Sequence, residues 1–433
     1  MYLTGRFPLL LAAGVVPVIA LSIAGLDPWL TLGGWLVLCG LAAGVDAAVA
    51  ADPRRVHVER SVPRRALRDS RVHTTLTLRG PQRLRGWLRD AWQPTAGAPF
   101  ARAAVHLEPD VPQRIAVPLL PRRRGELVSA FVVLRSVGPL GLAGRQSRLD
   151  VRGAIRVLPP FTARRHLPSR LARLRELDGA TSVLVRGQGS EFDSLRPYVR
   201  GDDVRSIDWR ATARSGTTML RTWRPERDRH IVIVIDTGRT SAARVGDGVR
   251  LDAEMEATLL LAALAEQAGD HVHLIMADRA VRARVSGVEG EQLLPALVDA
   301  MAPVEPSLID TDWDAVAALV RSLAVRPSLV VLLTAQDEAD AARGFLGTLP
   351  GFTARAHVLV GTVTDTGLAD QARTRGTVGE IFRAAAAEQT LADADRVIQA
   401  VVAAGADALT DGPEELPPRI ADRYLQLKAA GRL

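Results

Sequence analysis

The chain of 433 residues is poor in two residue types that carry much of protein chemistry. Its single cysteine, Cys39, lies in an apolar stretch, which excludes disulfide bonds within the chain, zinc knuckles and paired-thiol redox motifs. Its single lysine, Lys428, excludes a Walker A phosphate-binding loop. In contrast, hydrophobic residues make up 47% of the chain, so a disordered chain is also excluded.

The basic charge is almost entirely arginine. The net charge is +7, and the arginines are spread over the whole length among Ala, Gly and Val. We interpret this spread as a compositional bias, because a nucleic-acid site normally concentrates its basic residues on one patch. The sequence therefore predicts neither a nucleic-acid partner nor a small-molecule substrate.

Two long apolar stretches near the N-terminus predict a pair of transmembrane helices. Residues 7–25 and 29–50 are each close to the ~20 residues that a helix needs to span a bilayer. The link between them is so short that the helices must run antiparallel. A cleaved signal peptide is the alternative for the first stretch, and the second stretch argues against it. We expect a multi-pass membrane protein that contacts lipid through residues 1–52.

The arginines that flank these stretches predict the orientation. The turn between the helices has no basic residue, whereas seven arginines lie between residues 54 and 71 and Arg6 precedes the first helix. Cytoplasmic flanks retain positive charge, so both termini and the remaining chain are expected in the cytoplasm. An extracellular adhesion role is then disfavoured. Asp46, about one turn from the cytoplasmic end, is interpreted as an interfacial residue whose carboxylate reaches the lipid headgroups.

The rest of the chain predicts three regions. Residues 53–160 hold short alternating runs separated by turn residues, which is typical of a small β-sandwich or barrel. Residues 161–229 contain leucines at helical spacing, which predict a linking helix, followed by a charged segment. Residues 230–433 alternate strands with helices, which predicts a doubly wound α/β domain with a helical tail. Its strands are predicted at residues 230–236, 271–277, 280–285, 328–334 and 355–360.

The end of the first strand in this α/β domain is the predicted binding site. Ligands bind at the carboxyl ends of parallel strands, and this strand ends on Asp236, followed by the hydroxyls of Thr237, Thr240 and Ser241. Carboxylate and hydroxyl oxygens are hard ligands, which suit a magnesium ion that keeps several waters. His271 and His273 would share one face of a strand, but without a third ligand they are interpreted as solvated or core residues.

An enzyme is the alternative for the same loop. A strand ending in Asp-x-x-x-Thr resembles the nucleophile loop of haloacid-dehalogenase-like phosphotransferases. That family has a second aspartate where this chain has Gly238, and it needs a basic residue, usually lysine, on a later loop, whereas Lys428 is the only lysine. No nucleophile elbow, His-Glu-x-x-His helix or Gly-x-Gly-x-x-Gly turn is present. We therefore predict that the chain is not an enzyme.

Residues 189–214 carry the most specific motif of the chain. They read GSEFDSLRPYVRGDDVRSIDWRATAR, which resembles the signature of a bacterial family called domain of unknown function 58. The residues that carry the resemblance are Glu191, Arg196, Tyr198, Gly201, Asp202, Arg205, Asp208, Trp209 and Arg214. Residues 137–142 and 424–428 also fit this family. The alternation of Asp with Arg leaves two interpretations open, a partner-docking surface or a buried network of bidentate ion pairs, and favours the network. Trp209 and Trp223 are then expected in the core.

The resemblance implies a two-helix anchor, a β-domain and a von Willebrand factor A-like domain with a metal-ion-dependent adhesion site. The core of that site is Asp-x-Ser-x-Ser, with a later Thr and Asp. Here Asp236 matches the first position, Gly238 and Thr240 replace the two serines, and Thr311 and Asp337 are candidates for the later ligands. The resemblance also implies a protein-binding adaptor whose partner is a MoxR-type AAA+ ATPase, in a chaperone-like or envelope-assembly system. A purely structural membrane scaffold is the alternative.

Overall fold

The structure is a computed structural model, which describes residues 1–99, 102–184, 191–200, 202–224, 229–246, 248–336 and 342–433. For residues 178–184, 191–193 and 222–224 this description covers the backbone alone. The chain divides into two compact units, Met1–Leu158 and Pro159–Leu433. The finer division expected near residues 52 and 229 stays a prediction.

The first unit begins with the apolar helices. Helices α1 (Arg6–Ala13) and α2 (Val15–Ile23) form one apolar stretch that is interrupted at Gly14, and α3 (Pro28–Val49) forms the second. By length and composition, each stretch could cross a membrane. Asp27 caps α3, because its carboxylate accepts the backbone N–H groups of Trp29 and Leu30 at 2.8 and 3.1 Å. The prediction of two N-terminal apolar helices is confirmed.

The rest of the first unit consists of two β-sheets around one core. The strands are β1 (Tyr2–Leu3), β2 (His57–Ser61), β3 (Arg65–Leu67), β4 (Val72–Arg79), β5 (Leu84–Trp92), β6 (Ala103–Leu107), β7 (Gln113–Leu119), β8 (Gly125–Val137), β9 (Ala143–Leu149) and β10 (Gly153–Leu158). One sheet has the order β1-β9-β8-β10-β3, with β5 pairing both β8 and β6, and the other has the order β2-β4-β7. Alternate side chains of both sheets, such as Leu76 and Leu134, fill the core between them.

The end of α3 is fixed to the β-sandwich by Asp46, which corrects the interfacial interpretation. Asp46 is 1% exposed. Its carboxylate accepts the backbone N–H groups of Leu140, Leu142 and Ala143 at 2.7, 2.7 and 2.9 Å. Arg145 donates to the carbonyls of residues 47 and 48 near the end of α3, at 2.9 and 3.0 Å. The carboxylate thus binds the loop of residues 138–143 rather than lipid headgroups.

Strand β1, which precedes the first apolar stretch, belongs to the β-sandwich. Tyr2 pairs with Gly144 and Leu3 with Ala143 in an antiparallel ladder. The Tyr2 hydroxyl donates to the carbonyl of Ser136 at 3.2 Å. Residues on both sides of the two apolar stretches therefore meet in one sheet.

The second unit contains an α/β sheet with helices on both faces. The strands of this unit are β11 (Glu191–Pro197), β12 (Met219–Arg224), β13 (His230–Asp236), β14 (Arg244–Val245), β15 (Gly248–Val249), β16 (His271–Ala277), β17 (Val281–Val285), β18 (Pro327–Leu333), β19 (His357–Val363) and β20 (Asp407–Asp411). Its helices are α4 (Leu167–Leu184), α5 (Trp209–Ser215), α6 (Arg250–Gln267), α7 (Leu293–Met301), α8 (Trp313–Arg321), α9 (Arg343–Thr353), α10 (Gly367–Arg373), α11 (Val378–Ala403) and α12 (Leu416–Ala429).

The main sheet has the order β17-β16-β13-β18-β19-β20. Five strands are parallel, namely β16, β13, β18, β19 and β20, and β17 is an antiparallel edge strand. Side chains of β13 alternate between two cores, one with α6, α7 and α12 and the other with α8, α9 and α11. The prediction of an α/β domain is confirmed.

Several predicted elements differ from the observed ones. The sequence also predicts a helix near residues 338–346, part of which lies outside the described residues, and the described helix α9 spans Arg343–Thr353. The helical tail, predicted to begin at residue 384, begins earlier, since Thr377 and Glu380 form a capping box at the start of α11. Strand β20 was missed because it is a short edge strand with aspartate at both ends.

Candidate functional site

The candidate site lies where β13 and β18 end, at the carboxyl edge of the parallel strands. Asp236 is the last residue of β13, and Thr334 directly follows β18. Both residues are buried. Since β13 and β18 are neighbours in the sheet, the two side chains meet, and the loops after these strands bring further polar groups to Asp236.

The Asp236 carboxylate accepts four hydrogen bonds. Its Oδ1 atom accepts the backbone N–H of Gly238 at 2.8 Å and the hydroxyl of Thr311. Its Oδ2 atom accepts the hydroxyl of Thr334 at 2.7 Å and that of Thr240 at 3.4 Å. Three hydroxyls and a single backbone amide therefore surround a carboxylate that is only 2% exposed.

Burial dominates the protonation behaviour of the site. Burial raises the pKa of Asp236 above its ordinary value, and the hydrogen bonds from Thr311, Thr334, Gly238 and Thr240 oppose this rise. The fully buried Glu254 on α6 lies nearby, and burial, followed by the charge of Asp236, raises its pKa well above the ordinary value. Ser241 links the two acids, since its hydroxyl contacts the Asp236 carbonyl at 2.7 Å and Glu254 Oε2 at 3.3 Å.

Position 238, where the implied adhesion motif has a serine, leaves no room for a side chain. A Cβ atom at position 238 would lie 2.5 Å from Thr311 Oγ1 and 2.9 Å from the carbonyl oxygen of Ile309. The Thr311 hydroxyl thus occupies the space that a side chain at 238 would need. Position 238 thus supplies no hydroxyl, and the Thr311 side chain lies where one would be.

The oxygen atoms around Asp236 are of the type that binds Mg²⁺. Carboxylate and hydroxyl oxygens from Asp236, Thr240, Thr311 and Thr334 converge there, and hard cations prefer such ligands. Within the described residues, Glu254 Oε1 is a buried oxygen without a hydrogen-bond partner, which also fits a cation or an ordered water beside the acids. No group of three His, Cys, Asp or Glu side chains in the described part of the chain could hold a metal. A cation here would therefore depend on threonine hydroxyls and water.

Sequence reasoning located part of this constellation. It named Asp236, Thr240 and Thr311, which the structure brings together, whereas Asp337 lies outside the described residues. It missed Thr334 and Glu254. Thr334 is the last residue of the strand predicted at residues 328–334, so the same strand-end rule could have identified it. Glu254 had no comparable signal, because a glutamate near the start of an amphipathic helix is usually exposed.

The motif at residues 191–214 forms a separate hairpin and helix, not a buried network. Strands β11 and β12 pair antiparallel, and α5 lies between them in sequence. Arg196 binds Asp202 through two hydrogen bonds of 2.7 Å. Asp208 caps α5 through the amides of residues 210 and 211 at 2.9 Å and binds Arg221 at 2.8 Å. Asp202 and Asp208 are therefore paired locally. The alternation in the sequence predicted Arg205, Arg210 and Arg214 as partners of the acids, and these pairs do not form among the described residues.

Exposure also contradicts the buried interpretation of this segment. Trp209 is 71% exposed, so it is not a core residue. Arg205 and Arg214 are exposed as well, and Tyr198 is half-buried. Gly201 lies outside the described residues, as do the side chains of Glu191 and Trp223. The sequence pattern was misleading because Asp-Arg alternation suits short-range pairs at a surface as well as buried ones.

The segment and the Asp236 site fall within one family match. Residues 194–368 match the family described as "Protein of unknown function DUF58". This part of the chain belongs to the DUF58 family. The matched range contains the helix α5, Asp236 and the three threonines that bind it, so the site lies inside the part that this DUF58 protein shares with its family.

The curated relatives of this DUF58 protein are themselves uncharacterized. Uncharacterized protein Mb1516 of Mycobacterium bovis and uncharacterized protein Rv1480 of Mycobacterium tuberculosis are each 28% identical over 116 residues, which is 27% of this chain. The match spans 37% of the length of these relatives. Among solved structures, conserved hypothetical protein BatB from Bacteroides thetaiotaomicron is similar at 14% identity, covering 47% of this chain and 99% of that one, with a TM-score of 0.29. A likeness at this TM-score does not establish a shared fold.

The histidines of this DUF58 protein lie at the opposite, amino edge of the sheet. His230 Nδ1 contacts His273 Nε2 at 3.0 Å, and His273 Nδ1 contacts the Ser286 hydroxyl at 2.8 Å. His271 binds Glu289 at 2.8 Å. Burial, followed by the charge of His230, lowers the pKa of His273 to about 4. His273 is therefore a buried, hydrogen-bonded residue that is neutral at pH 7.

Proposed function

We propose that this DUF58 protein is a membrane-anchored protein-binding module that engages its partner through the loops around Asp236. The observation that carries this proposal is the convergence of three threonine hydroxyls on one buried carboxylate at the carboxyl edge of a parallel sheet. Such an edge is where α/β sheets bind ligands. The arrangement favours a von Willebrand factor A-like site in which a bound Mg²⁺ completes its coordination with an acidic group of the partner.

The anchor is proposed to keep this site in the cytoplasm. Strand β1 and the β-sandwich pair in one sheet, which supports an even number of membrane crossings between them. The arginines between residues 54 and 71 favour the cytoplasmic side. Both termini and the α/β domain are then cytoplasmic, and only residues near α1 to α3 contact lipid.

The partner proposed from the family resemblance is a MoxR-type AAA+ ATPase. In this proposal the protein acts as its adaptor at the membrane, in a chaperone-like or envelope-assembly system. A purely structural scaffold is the second candidate. The three backbone hydrogen bonds to Asp46, which we call the Asp46 clamp, favour it, because they hold the end of α3 and make a stiff spacer. A phosphotransferase is disfavoured, since Lys428 Nζ binds Asp270 at 3.0 Å, next to the amino end of β16 rather than near Asp236.

Metal binding is tested by isothermal titration of the detergent-solubilised full-length protein with MgCl₂ and MnCl₂. We expect binding by the wild type and none by Asp236→Ala. Thr334→Val keeps the shape of the side chain and removes one hydroxyl, so it should weaken binding without unfolding the domain. Asp370→Ala removes an exposed acid on α10 and is the matched control. The absence of heat at millimolar metal in the wild type would reject the metal.

Partner binding is tested by crosslinking the solubilised protein and identifying the crosslinked chains. We expect an AAA+ ATPase among them, at a yield that Asp236→Ala lowers and Asp370→Ala does not. If the same partners are recovered from Asp236→Ala at unchanged yield, the Asp236 loops are not the docking surface and the scaffold role is favoured.

A further inference from the structure

The hairpin segment of residues 191–224 presents arginines without acidic partners. Among the residues that the structure describes, Arg200, Arg205, Arg210 and Arg214 form no ion pair, and all four are exposed. We call these four residues the arginine set. Of the nearby carboxylates, Asp202 binds Arg196, and Asp208 binds Arg221 and the α5 amides. The exposed Asp203 accepts the backbone N–H of Arg205 at 3.0 Å.

Two members of the arginine set repel each other in the isolated protein. Arg210 and Arg214 are four residues apart on α5, so their side chains lie on the same face of the helix. Like charges at this spacing destabilise a helix. The engaged carboxylate of Asp208 does not neutralise them, because its oxygens already accept two backbone amides and Arg221. Acidic groups of a bound partner would remove this repulsion.

Exposed apolar side chains accompany the arginine set. Trp209 is 71% exposed, and Val199 and Val204 are 62% and 60% exposed. Trp and Arg are the residue types most enriched at the energetic centres of protein interfaces, where an aromatic anchor is buried and guanidinium groups bind carboxylates. Because local ion pairs and caps hold the backbone of this segment in place, little ordering would be needed on binding.

We propose that the arginine set and Trp209 bind an acidic segment of a protein partner, through carboxylates on the guanidinium groups and an apolar side chain on the indole. A protein fits better than an anionic lipid surface, because lipid accepts positive charge in any arrangement and does not require a fixed backbone. This surface uses no residue of the Asp236 site, so it is a second docking surface beyond the proposed function.

The test measures binding of a fluorescein-labelled synthetic peptide, (Glu-Glu-Leu-Phe)₃, to the full-length protein in phosphatidylcholine nanodiscs. The Gln-Gln-Leu-Phe version of the peptide is the uncharged control. We expect fluorescence anisotropy to report binding of the acidic peptide alone, weakening as salt rises. The double variant Arg210→Glu/Arg214→Glu should weaken it about tenfold, since two attractive charge contacts become repulsive.

A matched variant tests whether the peptide binds this surface or responds only to the net charge of the protein. Arg173→Glu/Arg175→Glu reverses two exposed arginines on α4 and should leave the peptide affinity unchanged. Trp209→Ala should weaken binding while circular dichroism stays that of the wild type, and Asp236→Ala should bind the peptide normally. Equal affinity of both double variants, equal binding of both peptides, or no binding would overturn the proposal. Tighter binding of a single-stranded oligonucleotide, lost in Arg210→Glu/Arg214→Glu, would also overturn it in favour of nucleic acid.

Discussion

Asp46 and Asp236 are both buried acids near the end of a secondary-structure element, but different donors surround them. Asp46 accepts three backbone N–H groups from the loop of residues 138–143. Asp236 accepts one backbone N–H group and three threonine hydroxyls. A backbone amide can only donate, whereas a hydroxyl can donate or accept and can turn its oxygen toward a cation.

This difference separates a structural acid from a site that can change its partners. The backbone donors around Asp46 are fixed in direction, and they join its carboxylate to the loop of residues 138–143. Around Asp236 the hydroxyls can reorient when a ligand arrives, without moving the backbone. Burial alone therefore does not distinguish the two carboxylates, whereas the kind of donor does.

The most sensitive test of this comparison is Asp46→Asn. Both carboxylate oxygens of Asp46 accept backbone amides, so the NH₂ group of Asn must face an N–H donor. We expect a loss of about 3 kcal/mol of stability in the first unit, from a broken charged hydrogen bond and an unsatisfied buried donor. Hydrogen exchange measured by mass spectrometry should show lost protection at residues 140–143. Unchanged protection would mean that Asp46 does not hold this loop.

Gly138→Ala tests the same clamp from the side of the loop. An added Cβ would lie 2.3 Å from the carbonyl oxygen and 2.3 Å from Oδ1 of Asp46. We expect a loss of about 2 kcal/mol, as for other overpacked sites, measured by thermal unfolding in detergent. Gly33→Ala within α3 is the control, because no atom lies within 4 Å of its added Cβ. Equal stability of the two variants would contradict the packing seen at Asp46.

Replacing Asp236 by Asn should lower the stability much less than replacing Asp46 by Asn. In Asp236→Asn the Thr240 and Thr334 hydroxyls can accept the new NH₂ group, and the cost of burying a charge disappears. We expect a change below about 1 kcal/mol in thermal unfolding, together with loss of any stabilisation by Mg²⁺. A loss as large as that of Asp46→Asn would remove the distinction between the two sites.

His273, which is in the same unit as Asp236, affects any comparison of the stabilities of the Asp46 and Asp236 variants across pH. His273 has a pKa of about 4 when folded and 6.5 as its ordinary value, so its contribution to stability is complete above pH 6.5 and is lost as the pH falls toward 4. His230, His271, Arg284 and Glu289 act on it electrostatically. We expect His273→Gln to flatten the fall of the melting temperature between pH 6.5 and 4, and the exposed-site control His106→Gln to leave it unchanged. A wild-type slope in His273→Gln would show that other groups control the pH dependence.

Short-range patterns in the sequence predicted the core elements well. The predicted strand at residues 230–236 coincides with β13, because a run that is apolar on both faces is typical of a central parallel strand. The strand-end rule then led to Asp236. Edge strand β20 escaped this reasoning, since three of its five residues are polar and all five are only half-buried.

Long-range contacts could not be predicted in the same way. The amides that bind Asp46 belong to residues 94 to 97 positions away, and backbone N–H groups have no signature in a sequence. Thr311 was named only through the family resemblance, and it reaches Asp236 across 75 positions. Ion pairs of Asp202 and Asp208 were predicted with the wrong arginines, since their partners are Arg196 and Arg221. Pairing depends on a hairpin that the sequence did not indicate.

The pairing of β1 with β9 has a consequence for the order of events during synthesis. Tyr2 binds the carbonyl of Ser136, which lies 134 positions later. At a translation rate of about 5–20 residues per second, Tyr2 waits roughly 7 to 27 s for this partner. Both apolar helices are made during this delay, so strand β1 must stay unpaired until the sandwich can fold around it. A bulky N-terminal fusion would compete with that last step.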